Sequence, residues 1–139
     1  MLLRPFEDSD TDSVVQLWSE CALTVPWNDP YKDIQRKIQV GRDLFLVGTV
    51  EDQLIASVMG GYEGHRGWIN YLAVHPNHQR KGYGKQLVEA LEAKLMERGC
   101  PKINLQIRHG NTSVQAFYES VGFGDDQAMS MGKRLIPDA

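Results

Sequence analysis

Leu72-Ala73-Val74-His75-Pro76-Asn77-His78-Gln79-Arg80-Lys81-Gly82-Tyr83-Gly84-Lys85 passes without interruption from a strand to a helix. An apolar run that begins at Trp68 ends at Val74, His75-Pro76 stops it, and a polar loop leads into a glycine-spaced basic segment. A long helix is predicted from about Lys81 to Arg98, with Leu87, Val88, Leu91, Leu95 and Met96 on one face. Arg98 in its last turn, Gly99 after it and Pro101 beyond mark its end. Lys102 to Arg108 then alternates, with Ile103, Leu105 and Ile107 on one side of a strand. Strand, helix and strand in this order imply one right-handed parallel crossover.

The flanks fill in the rest of a sheet. Leu2 to Phe6 reads as a first strand, and Ser9 or Asp10 can cap a helix carrying Val14, Leu17, Trp18 and Cys21. Thr24 to Pro30 breaks that helix, and a second runs through Ile34 and Ile38 to about Gly41. Leu44–Val50 and Leu54–Tyr62, joined by Glu51-Asp52-Gln53, predict a hairpin. Asn111 or Thr112 opens a last helix with Val114, Phe117 and Val121, closed by Gly122, and a final strand is predicted from about Gln127 to Leu135. The expected order is β-α-α-β-β-β-α-β-α-β. That is an α/β fold with a mixed, mostly antiparallel sheet of six to seven strands and helices on both faces. No linker, repeat or low-complexity stretch divides the chain, so residues 1–139 are expected to form a single domain.

Hydrophobic residues at 42% and charged residues at 24% fit a folded globular chain and exclude disorder. No apolar run reaches the ~18 residues of a membrane span, and the N-terminus turns charged too soon for a secretory signal. A cytoplasmic protein with no membrane partner is therefore expected. Cys21 and Cys100 lack the paired spacing of a zinc or redox site, and His75 and His78 stand on a loop without neighbouring ligands. No metal site is expected. Net charge is -3, which argues against nucleic acid as a partner. Gly64 to Val88, however, contains no acid and four cations, Arg66, Arg80, Lys81 and Lys85. Setting those four aside leaves 11 basic residues against 18 acidic ones. One positive segment in an acidic chain points to an anionic ligand.

The chemistry of that segment suits a pyrophosphate. Glycines remove the Cβ atoms that would hold a phosphate away from backbone amides, and a helix N-terminus adds unpaired donors and partial positive charge. Neither the G-x-x-x-x-G-K-[ST] loop nor a dinucleotide G-x-G-x-x-G is present, since Leu87 stands where the latter needs a small residue.

Gln79-Arg80-Lys81-Gly82-Tyr83-Gly84 resembles the Q/R-x-x-G-x-G/A signature of the GNAT superfamily of N-acetyltransferases. Asn111 to Phe123 is similar to that family's N-x-x-x-x-x-x-Y-x-x-x-G-F segment. Pro26-Trp27-Asn28-Asp29-Pro30, Met59-Gly60-Gly61-Tyr62 and Gly132-Lys133-Arg134-Leu135 further resemble the small bacterial YpeA-type acetyltransferases. The resemblance implies acetyl-CoA as cosubstrate. It implies that backbone groups of Leu72, Ala73 and Val74 pair with the pantetheine arm. It also implies that Gln79, Arg80, Lys81, Gly82, Tyr83, Gly84 and Lys85 form the pyrophosphate loop, that Asn111 contacts the cofactor arm, and that Tyr118 is the general acid. The amine would attack the thioester directly, with no covalent enzyme intermediate.

One family feature is absent. Where some members carry a glutamate base on the fifth strand, this chain has Gln106, and Trp68 and Asn70 stand where others place a base on the fourth. An amide takes no proton. An α-amino group with pKa near 7.7–8.0 is partly neutral at pH 7, so the missing base favours a low-pKa amine. Trp27, Asn70 and Gln106 are the candidate acceptor contacts. The expected partner is an amine, a small molecule or a peptide N-terminus, and a homodimer is possible. The other function class is a CoA- or acyl-CoA-binding sensor without turnover.

Overall fold

The computed structural model describes residues 1–138. The elements in chain order are β1 (Leu2–Pro5), α1 (Thr11–Glu20), α2 (Pro30–Val40), β2 (Phe45–Val50), β3 (Gln53–Tyr62), β4 (Gly67–Val74), α3 (Tyr83–Glu97), β5 (Ile103–Asn104) and α4 (Thr112–Ser120). Short 3-10 turns at Asp8–Asp10 and Pro76–His78 lead into α1 and towards α3. The strands form one sheet in the order β1-β2-β3-β4-β5, antiparallel from β1 to β4 and parallel between β4 and β5.

Alternation along the strands sends side chains to two cores. Phe45, Val47, Met59 and Ala73 face α1 and α2, where Phe6, Val14, Leu17, Trp18 and Ile34 cover them. Leu46, Val58 and Ile69 face the other way, against Leu87, Leu91 and Leu95 of α3 and Tyr118 of α4. Fully burying each of these aliphatic side chains is worth about 1.5–3 kcal/mol. Gly60 lets α3 come close, since a Cβ there would overlap the Leu91 methyls. Met96, expected on the buried face of α3, is 74% exposed. Leu95 points inward, and the next residue is turned roughly 100° away.

The end of the sheet departs most from expectation. The predicted strand over residues 102–108 narrows to Ile103–Asn104, paired only with Gly67 and Trp68. The predicted strand over 127–135 does not form, so the described residues hold five strands rather than six to seven. With so short a β5, no edge is available to receive it. Side chains tie the segment down instead: Lys102 and Asn104 donate to Asp126, and Gln106 donates to Ser130. Met129, Met131 and Leu135 are left outside, each more than 80% exposed.

Candidate active site

Two irregularities in β4 open the site. Its register against β3 runs Ser57↔Ala73 and then Met59↔Asn70, so β4 carries one extra residue and bulges at Tyr71–Leu72. Tyr71 takes a left-handed φ of 50° there, unusual for a residue with a bulky side chain. Packing holds it in place. Its ring stacks on Trp18 at 3.7 Å, its carbonyl accepts from Ser57 Oγ at 3.1 Å, and its hydroxyl donates to Asp33 at 2.7 Å. Ser57 in turn accepts the Trp18 indole N–H at 2.9 Å, so one buried hydroxyl ties helix, sheet and bulge together.

Among the described residues, β4 has no partner on its β5 side beyond Trp68. The amide of His75 donates to Ile55 on β3. By alternation, Val74 and Leu72 then turn their backbone groups toward the open side. Ala73 turns its own toward β3 and buries its side chain against α1, so of the three candidate residues two face the gap. Gln79 donates through Nε2 to the Val74 carbonyl at 3.1 Å and fastens the loop to the strand end.

That loop winds into α3 through two left-handed residues, Arg80 at φ 64° and Gly82 at φ 79°. Gly82 is the N-cap and offers no side chain, and the first turn contains no acid. The first helical bond runs from Gln86 N to Gly82 O, which leaves the amides of Tyr83, Gly84 and Lys85 without intrahelical partners. Other helices treat their ends differently. Asp29 caps α2 through the amides of Tyr31 and Lys32, and Asn111 caps α4 through Val114 N. The α3 terminus is open, uncapped and flanked by Arg80, Lys81 and Lys85. Gly84 has another role: a Cβ there would meet the Phe117 ring at 3.0 Å, so this glycine sets the approach of α4 to α3. Arg66, part of the same acid-free segment of sequence, sits before the start of β4, on the order of 25 Å of strand away.

Tyr118 lies in the apolar cluster that takes in Leu72 and Val74 on β4 and Leu105 and Ile107 beyond β5. It is 8% exposed, with Phe117 and Phe123 edge-on to its ring. Burial alone pushes its hydroxyl up to about 12. Asn111 spends its side-chain oxygen on the α4 cap, where Ser113 Oγ also donates to it. Gln106 is engaged with Ser130, and Asn70 is exposed opposite Met59.

Trp27, the third candidate acceptor contact, lies in the connection between α1 and α2. It is 60% exposed and lines an open cavity of about 590 Å³ with Asn28, Arg36 and residues 132–136. No local pattern in residues 132–136 signals that they fold back here. Asp138, almost fully buried, explains the return: it accepts from Asp29 N and from Arg36, both at 2.7 Å. Among the described residues no cluster of His, Cys, Asp and Glu is arranged to hold a metal ion, and no helix is long and apolar enough to cross a membrane.

A bulged strand that parts from its parallel neighbour and feeds an uncapped helix defines a fold that can hold an extended, phosphate-bearing ligand between two strands. The model of the acetyltransferase (GNAT) family matches residues 11–123. An acetyltransferase of Yersinia enterocolitica is 45% identical over 138 residues, 99% of this chain and 98% of the relative. One from Pectobacterium atrosepticum is 46% identical over 138 residues, with the same coverage. Among solved structures, an apo aminoglycoside 6'-N-acetyltransferase from Acinetobacter haemolyticus superposes with TM-score 0.77 at 17% identity, covering 98% of this chain and 99% of that one. A ribosomal-protein alanine N-acetyltransferase from Escherichia coli gives TM-score 0.74 at 24% identity, covering 88% of this chain and 77% of that one. These two likenesses show the fold. The chain belongs to the GNAT acetyltransferase family and is an acyltransferase.

Proposed function

We propose that the protein transfers an acetyl group from acetyl-CoA to a primary amine of a small molecule or peptide, by direct attack within a ternary complex. The observation that carries this proposal is the open α3 terminus, which the loop 75–82 joins to the unpartnered β4 edge. Three free amides, no side-chain cap and no acid make it fit a pyrophosphate, while the neighbouring helices close theirs or carry acids in the first turn.

The chain's residues divide the work. Leu72 and Val74 offer backbone groups to the pantetheine amides and to the oxygen of the attacked carbonyl. Gln79 holds the loop against β4, Arg80, Lys81 and Lys85 add charge, and Tyr118 presents its proton to the departing sulfur. With a hydroxyl raised to about 12, Tyr118 stays protonated across the working range. A thiolate near 8.5 is a far weaker base than that phenolate, so Tyr118 acts chiefly as a hydrogen-bond donor to developing charge. Asn111, committed to its cap, positions α4 and thereby Tyr118.

The test is release of free CoA thiol from acetyl-CoA across a panel of amines and peptides. Turnover that depends on a particular amine is expected. Tight CoA binding with silence across the panel would leave a sensor in place of an enzyme.

A further inference from the structure

Resting on the amine transfer just proposed, we infer that the acceptor also carries a carboxylate, as an amino acid or short peptide does, and that the cavity beside Trp27 receives it. Arg36, Lys133 and Arg134 line the cavity, no acid does, and Trp27, Leu135 and Ile136 supply apolar wall. It has a volume of about 590 Å³ and lies open to solvent. The two arginines are partly offset from behind: Arg36 pairs with Asp33 and Asp138, and Arg134 lies 3.5 Å from Asp138. Lys133 makes no ion pair among the described residues, so its charge is available to a ligand.

A path of hydrogen bonds links the cavity wall to the β4 bulge. Asn28 on that wall accepts from Arg134 at 2.9 Å and donates to the Tyr71 hydroxyl at 3.0 Å. Tyr71 forms the β4 bulge next to Leu72. An acceptor anchored by its carboxylate among these cations can therefore extend its amine toward the open β4 edge. A polycationic acceptor would meet like charge at the same wall.

Thiol release with the full chain, using dipeptides paired with their C-terminal amides, tests this. The two share an α-amine and differ in one charge. Amidation should lower kcat/KM about tenfold through KM, the size of a lost charge-assisted hydrogen bond. Lys133→Met should bring the dipeptide down to the level of its amide with CoA affinity unchanged, and Lys133→Arg should retain the preference. Equal use of acid and amide, or a preference that survives Lys133→Met, would overturn the inference while leaving amine transfer intact. If neither form is acetylated although other amines are, the inference also fails; if no amine reacts, the proposed function falls with it.

Discussion

Tyr118 is where sequence and structure bear on one atom. Its register relative to Asn111 was legible in the sequence, because seven residues make nearly two helical turns. Its burial was not, since that depends on Phe117, Phe123 and a strand end far away in the chain. Tyr118→Phe keeps the ring and removes only the hydroxyl. It should lower kcat about 10- to 1000-fold, within or just below the usual range for a positioned acid, with melting temperature and CoA affinity nearly unchanged. A phenol raised to about 12 keeps its proton below that pH, so wild type should show no basic loss of activity from this group up to about pH 11. A pH profile of kcat for both proteins checks this. Equal turnover by the two would make Tyr118 a packing residue.

At the scale of elements, the regular parts were readable and the irregular ones were not. Hydrophobic spacing placed α1 to α4 and β1 to β4 within a few residues, because each helix buries an apolar stripe and the strands form apolar runs that feed the two cores. Residues 127–135 showed the same kind of pattern and stayed unpaired, because a strand needs an edge and β5 supplies only Ile103 and Asn104. The β4 bulge was equally invisible, since it rests on a contact between Ser57, Trp18 and Tyr71 spread across the chain. Ser57→Ala removes that contact and leaves a buried indole N–H without a partner. Chemical denaturation should show a loss of about 1–3 kcal/mol. Because Tyr71 adjoins the open edge, the acetyl-transfer rate should fall as well.

Across the whole molecule, the proposed cradle is a contiguous motif in the sequence, whereas the cavity proposed for the acceptor joins Trp27 and Asn28 to residues 132–136, over a hundred positions apart. Asp138 holds that closure. The Arg36 guanidinium first, then the Asp29 amide, lowers its carboxyl to about 2, so the tie stabilises the folded chain above the ordinary carboxylate range near 4. That stability is lost as pH falls from about 4 toward 2. The melting-temperature gap between wild type and Asp138→Asn should therefore shrink over that window and be constant from about pH 5 to 7. The central claim, that the α3 terminus binds the pyrophosphate of CoA, is tested most directly by calorimetric titration of CoA. Gly82 sits at φ 79°, which asparagine tolerates and valine does not. CoA binding by wild type should weaken as salt rises, while Gly82→Asn, whose side chain caps the same amides, and a folded Gly82→Val should each lose at least tenfold in affinity. Unchanged affinity in folded Gly82→Val would contradict the claim.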